Sequence, residues 1–237
     1  MTNYAIIGDV HGCYDELVDL AFGSHSFDQY QMIFVGDLTD RGPRNIDVLK
    51  LVMSLVKKYN AKVVLGNHDD KLRRWLKGNK VKINNGLQDT INELVETTDD
   101  FKADLLSFLE GLPYKLCLDE GKLIIAHAGL TETLQAADRV FSGAHKAARS
   151  MALYGKITGK TDSSGYPERL DWAEDYRGTR VVVHGHTANK EVVVKNKVYN
   201  IDTGCVFGNK LTALIYPEMS IISVPAKYPY TKHKRLL

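Results

Sequence analysis

Cysteine is scarce in this chain: three of 237 residues, Cys13, Cys117 and Cys205, with no Cys-x-x-Cys pair. An odd, widely spaced set argues against a disulfide framework and suits a reducing cytosol. A dominant charge is also lacking. Lys and Arg total 31 against 29 Asp and Glu, a formal charge of +2, so there is no global case for a nucleic-acid or membrane partner. No apolar run approaches the roughly 18 residues that span a bilayer. Asn3-Tyr4-Ala5-Ile6-Ile7 enters a strand directly, without the basic region and long apolar stretch of a signal peptide. A cytoplasmic protein is expected. There is no internal repeat or low-complexity segment. What remains, 44% hydrophobic and 25% charged residues, is ordinary for a globular chain that forms one large domain or a domain with an inserted cap.

Short apolar runs mark strands at Ala5–Ile7, Met32–Val35, Lys62–Leu65, Leu123–Ala126 and Val181–Val183, with β-rich runs at Val192–Val194, Val198–Ile201, Leu211–Ile215 and Ile221–Val224. Helical spacing over Tyr14–Ala21 and Asn45–Lys58 separates the first three. Strand, helix, strand, helix, strand predicts right-handed βαβ units and a mostly parallel core. The consecutive strands at the end suggest antiparallel hairpins and a second sheet. Residues from about 70 to 120 read as polar helices forming a cap. Phe141–Gly165, with Gly155, Gly159 and Ser163-Ser164-Gly165, reads as a long loop. Residues 1–226 are taken as one α/β domain and 227–237 as a basic terminal tail.

Each of the first five strands ends in residues suited to holding metal or phosphate: Gly8-Asp9-Val10-His11-Gly12, Gly36-Asp37-Leu38-Thr39-Asp40-Arg41-Gly42, Gly66-Asn67-His68-Asp69, His127-Ala128-Gly129 and His184-Gly185-His186-Thr187. In open α/β sheets, ligands gather beyond the carboxyl ends of strands. Asp9 and His11, two apart between glycines, can point at one ion. Asp37 offers two oxygens and a full charge, and can bridge two ions. Asn67 supplies an amide oxygen, and His127 and His186 supply imidazoles. A thiolate-free set of this kind favours Mn²⁺, Fe or Zn²⁺. Paired metals roughly 3.5–4 Å apart activate a water and clamp a phosphoryl group. The planar fork of Arg41 suits phosphate oxygens, and Asp40 can orient His68 as an acid.

Singly, these segments have ordinary explanations: a helix cap at Asp9, a turn with a surface ion pair at Asp40-Arg41-Gly42-Pro43, interior histidines at 127 and 186. Their co-occurrence in order, each after a strand-like run, outweighs them. Taken with Lys77-Gly78-Asn79, Leu153-Tyr154-Gly155, Asp171-Trp172-Ala173, Asn200-Ile201-Asp202-Thr203-Gly204-Cys205-Val206-Phe207-Gly208, Leu211-Thr212-Ala213-Leu214 and Tyr216-Pro217-Glu218, the set resembles the calcineurin-like metallophosphoesterases of the protein-phosphatase branch. Within that branch it is most similar to PrpE-type diadenosine tetraphosphate hydrolases and the phosphatase domain of bacterial polynucleotide kinase–phosphatase.

The resemblance implies a metallophosphoesterase sandwich of two mixed β-sheets flanked by helices, with a helical cap. It implies two divalent ions, Mn²⁺ first and Fe, Zn²⁺ or Ni²⁺ as options, one held by Asp9, His11 and Asp37 and the other by Asp37, Asn67, His127 and His186. Arg41, Asn67 and Arg169 would bind substrate phosphate, His68 would be the general acid with Asp40 as its partner, and Asp202 would support the site. A metal-bridging hydroxide would attack phosphorus directly. The expected substrate is a phosphomonoester of a nucleotide or nucleic-acid end. The alternatives are symmetrical dinucleoside tetraphosphate hydrolysis, serine/threonine protein dephosphorylation, or a silent metal-binding module. A phosphorylated small molecule, nucleotide or nucleic-acid end is the only partner expected; no membrane or obligate protein partner is.

Two departures bear on the branch. Ala188 stands where metallophosphoesterase nucleases carry a further histidine, and Asp69 where eukaryotic protein phosphatases carry glutamate. The role of His184 is open. His25, His145 and His233 read as surface residues, and Cys13 and Cys205 as packing. The basic stretch Lys71, Arg73, Arg74, Lys77, Lys80, Lys82 is either a solvated helix face or a rim attracting polyanions.

Overall fold

The computed structural model describes residues 3–23, 26–136, 143–161 and 167–231. His25 and His233, and Lys232, Lys234 and Arg235 of the expected tail, lie outside them. Two five-stranded mixed sheets stack face to face. The first has the order β12 (Ser220–Pro225), β11 (Lys210–Tyr216), β1 (Tyr4–Ile7), β2 (Gln31–Phe34), β3 (Lys62–Val63); β1, β2 and β3 are parallel, and β11 joins β1 antiparallel. The second runs β4 (Leu116–Leu118), β5 (Leu123–Ile125), β8 (Val181–His184), β10 (Val198–Asn200), β9 (Val193–Lys195), with β5, β8 and β10 parallel. The hairpin of β6 (Ile157–Thr161) and β7 (Pro167–Arg169) stands apart.

The period-two alternation of strands sorts side chains into layers. Ile6, Ile33, Leu123, Ile125 and Val183 fill the space between the sheets. Ala5, Ile7, Met32 and Phe34, one residue out of phase, face α1 (Tyr14–Phe22) and α2 (Asn45–Tyr59). Ile124 and Val182 likewise face outward, toward α7 (Gly143–Tyr154). The two mixed sheets are therefore covered on each outer face by helices, as the sequence implies.

Within 70–120, α3 (Asn67–Leu76), α4 (Leu87–Val95) and α5 (Asp99–Gly111) insert Leu72, Leu87, Leu94, Leu105 and Leu109 into the same cluster as α1 and α2. α6 (Glu132–Gln135) borders the other outer layer.

Two expectations need correction. The closing strands form antiparallel pairs as expected but divide between the sheets: β9–β10 lies in the second, around β5 and β8, whereas β11–β12 extends the first, because β1 at the chain's start leaves an open edge there. The expected loop over 141–165 contains α7 and β6 among its described residues. Ala148, Met151, Ala152 and Leu153 recur at helical spacing and are buried, a pattern that the neighbouring Gly and Ser residues obscured. Residues 227–231 lie against α1: Lys227 N–H and Tyr230 O–H both donate to Glu16, at 2.8 and 2.7 Å.

Candidate active site

The strand-end loops of both sheets meet at one edge of the sandwich, and two close approaches make this possible. A side chain at Gly36 (φ +96°) would place its Cβ 2.6 Å from the Gly66 nitrogen, and one at Gly185 would lie 1.9 Å from Asp9 Oδ1. Only a bare backbone lets these loops touch. The backbone is also bent out of ordinary regions at His11, Asp37, Asp40, Arg41 and His186, all with positive φ. Such conformations cost of order 1–3 kcal/mol each and persist where surrounding contacts over-determine them.

Asp37 lies at the centre. Its Oδ2 is 3.3 Å from His127 Nε2, 3.6 Å from His11 Nε2 and 4.0 Å from His68 Nε2, and its Oδ1 accepts the His68 backbone N–H at 2.9 Å. Around it stand two groups able to hold a cation, His11–Asp37–His68 and Asp37–His127–His186. Asn67 Oδ1 and His186 Nδ1 both lie 3.0 Å from His127 Nε2. Asp9 gives one oxygen to the His186 backbone N–H at 3.0 Å; its other oxygen and His186 Nε2 are buried with no partner. All six residues expected as ligands are thus brought together.

Backbone carbonyls fix the ring nitrogens. His11 Nδ1 donates to Thr39 O at 2.7 Å and His127 Nδ1 to Val35 O at 3.0 Å, which turns both Nε2 atoms inward as acceptors. At His127, three further acceptor atoms crowd that lone pair. A proton on Nε2 can satisfy one of them; a divalent cation satisfies all of them. With the two orphaned buried atoms, this donor set fits a metal pair.

The charges agree. Burial works against the Asp37 carboxylate, yet His127, His68 and His11 hold it well below the usual carboxylate range. Burial opposes charge on His127 too, but Asp37 raises it, so a positive charge is favoured between them. Burial, then Asp202, pushes Asp9 up, and burial lifts Asp202 to about 6. A cation reverses the cost of gathering these carboxylates.

His68 and Asp40 form the expected pair: His68 Nδ1 lies 2.6 Å from Asp40 Oδ2. The opposite oxygen of Asp40 accepts from Thr90 Oγ1 at 2.6 Å. Thr90, on α4, was not foreseen; a threonine 50 residues away carries no local signal. Arg41 reaches between the histidines, its two terminal nitrogens 2.7 Å from His11 Nε2 and 2.9 Å from His68 Nε2. Asp69 is a second unforeseen support, accepting the N–H groups of Asp37, Leu38 and Gly66.

Arg169 stands farther out, donating to Thr187 Oγ1 at 3.2 Å, one residue past His186. His184 is buried and donates Nδ1–H to Gly185 O at 3.0 Å; burial lowers it to about 4, leaving it neutral. In the basic stretch, Lys71 bonds Asn84, Arg73 pairs with Asp70 and Lys77 with Glu110.

The calcineurin-like phosphoesterase family description matches residues 2–190. This chain belongs to that family. As a calcineurin-like phosphoesterase it is a hydrolase of a class that uses divalent metals, and its His/Asp cluster is built for them. Its relatives match over nearly their full length. A bis(5'-nucleosyl)-tetraphosphatase PrpE (asymmetrical) of Oceanobacillus iheyensis is 43% identical over 243 residues, covering 97% of this chain and 94% of that protein. The protein of the same name from Bacillus subtilis is 40% identical over 245 residues, covering 98% of each. Among solved structures, a candidate diadenosine tetraphosphatase superposes with a TM-score of 0.69 at 28% identity, covering 95% of this chain and 94% of that one. Among the described residues, no helix of this phosphoesterase is long and apolar enough to cross a membrane.

Proposed function

We propose that this phosphoesterase hydrolyses dinucleoside tetraphosphates asymmetrically, giving a nucleoside triphosphate and a nucleoside monophosphate. The observation that carries this reading is full-length similarity, at 40–43% identity, to tetraphosphatases of that description. It favours the tetraphosphate alternative over the expected preference for phosphomonoesters of nucleotides or nucleic-acid ends. The relatives' names carry asymmetrical cleavage, whereas the alternative drawn from sequence is symmetrical cleavage.

Asp9, His11 and Asp37 would hold one divalent ion, and Asp37, Asn67, His127 and His186 the other, with Mn²⁺ the first choice for this oxygen and imidazole set. Bound there, the ions supply Lewis acidity and an activated water. The chain's own residues supply the rest. Arg41 is poised between His11 and His68, and turning its fork onto phosphate oxygens neutralises charge that grows as the bond to phosphorus forms. That movement also frees His68 Nε2, which Arg41 now occupies. Asp40, held by Thr90, keeps the other ring nitrogen protonated, so His68 can carry a proton on Nε2 toward the leaving oxygen. Phosphate binding by Arg41 and the acid role of His68 are therefore one coupled event. Arg169 would contact a phosphate farther along the chain, and Asp202 would set the charge around Asp9.

Product analysis tests the reading. Diadenosine tetraphosphate incubated with Mn²⁺-loaded enzyme is expected to give ATP and AMP in equal amounts, with turnover abolished by EDTA and in Asp37→Ala. ADP as sole product would overturn asymmetrical cleavage. Turnover of 4-nitrophenyl phosphate with the tetraphosphate left intact would overturn the substrate class.

A further inference from the structure

His186 lines both the candidate metal cluster and a neighbouring cavity of about 190 Å³. One wall of that cavity is fixed. The Trp172 indole presses on Gly129, where a Cβ would stand 2.0 Å from Cζ2, and packs against Tyr176 and His184 with centroids 6.1 and 5.6 Å away. Another part of the lining is open: Tyr154 and Leu170 line the cavity while 41% and 44% exposed, large apolar groups with room to be covered. An apolar cavity of about 150 Å³ accepts a benzene ring, so this volume takes a planar heteroaromatic ring.

The polar groups match such a ring carrying a phosphate. His184 commits Nδ1 to Gly185 O, which leaves Nε2 as its remaining polar atom, an acceptor suited to an amino group on a base edge. Arg169 lines the cavity and bonds Thr187 beside His186, so it stands on the path from cavity to cluster. Lys156 adds a second cation at the lining, whereas Lys195 is taken by Asp171 and Glu174.

We infer that this cavity is a nucleoside subsite: a purine ring lies between Tyr154, Leu170 and Trp172, and its phosphate crosses Arg169 to reach the cluster. The inference rests on the nucleotide reading above and deepens it, by assigning recognition of the base to residues that take no part in hydrolysis.

The test compares kcat/KM for diadenosine tetraphosphate with that for 4-nitrophenyl phosphate, which has no nucleoside, in metal-loaded enzyme. In Tyr154→Ala and in Leu170→Ala the ratio is expected to fall at least about five-fold, the low end for a lost base stack; Tyr154→Phe, which keeps the ring, should hold it near wild type. AMP inhibition of nitrophenyl phosphate hydrolysis should weaken by a similar factor in the alanine variants, with inhibition by orthophosphate following the wild type. Unchanged ratios and unchanged AMP inhibition would overturn the subsite. If wild-type enzyme leaves the tetraphosphate intact, the proposed function fails, and the AMP-to-orthophosphate comparison still decides the subsite.

Discussion

At the scale of single residues, the site is governed by which nitrogen of each histidine faces inward. His11, His127 and His68 each commit Nδ1 to an oxygen, from Thr39, Val35 and Asp40. In the proposed reading the first two would present a lone pair to a cation, and the third, backed by a carboxylate, would deliver a proton from its far side. The same residue type would thus serve two purposes, separated by whether the partner is a neutral carbonyl or a charged oxygen. If His68 is the acid, His68→Asn should lower kcat by about 10²–10⁴ on phenyl phosphate and markedly less on 4-nitrophenyl phosphate, whose leaving group departs with little need of a proton. Equal losses on both esters would show that His68 only shapes the site.

At the scale of elements, function depends on how the β2 loop meets the start of α3. The Asp69 carboxylate, in the first turn of α3, binds Gly66 N–H just before the helix and Asp37 and Leu38 N–H across the gap. One side chain caps the helix and clamps the loop carrying the central carboxylate. Each buried donor left unsatisfied costs about 1–3 kcal/mol. Asp69→Ala should therefore destabilise the metal-free protein by about 3 kcal/mol or more, read as a lower urea midpoint at unchanged m-value; Asp69→Asn, which keeps one acceptor oxygen, should fall between. A loss under about 0.5 kcal/mol in Asp69→Ala would show that the clamp is not needed.

At the scale of the molecule, two sheets of separate topology both contribute to the cluster. The first supplies Asp9, His11, Asp37 and, through α3, Asn67 and His68; the second supplies His127 and His186. An ion held by Asp37, Asn67, His127 and His186 would therefore tie the two sheets together, and binding restricted to the folded state adds to stability. At a hundred-fold excess over its dissociation constant an ion contributes about 2.7 kcal/mol, roughly 5–11 °C in Tm for a chain of this size. Mn²⁺ should raise Tm by that amount for each ion held, EDTA should reverse it, and Asp37→Ala, which borders both cation groups, should lose nearly all of it. A Tm that ignores Mn²⁺ would contradict a metal centre.

The sequence by itself determined the order of strands and motifs, because an apolar run followed by Gly, Asp, Asn or His is a local pattern that chemistry constrains within five residues. The gathering of Asp9, His11, Asp37, Asn67, His127 and His186 at one place was legible for that reason, as was the pairing of His68 with Asp40. The helix over Gly143–Tyr154 was not, since nearby Gly and Ser masked its buried face. Thr90 on Asp40, Asp69 on the distant N–H groups of Asp37 and Leu38, the Thr39 and Val35 carbonyls, and the cavity walled by Tyr154, Leu170 and Trp172 were decided only by tertiary structure. These are contacts between segments tens of residues apart, often through backbone atoms that every residue shares, so no residue type announces them.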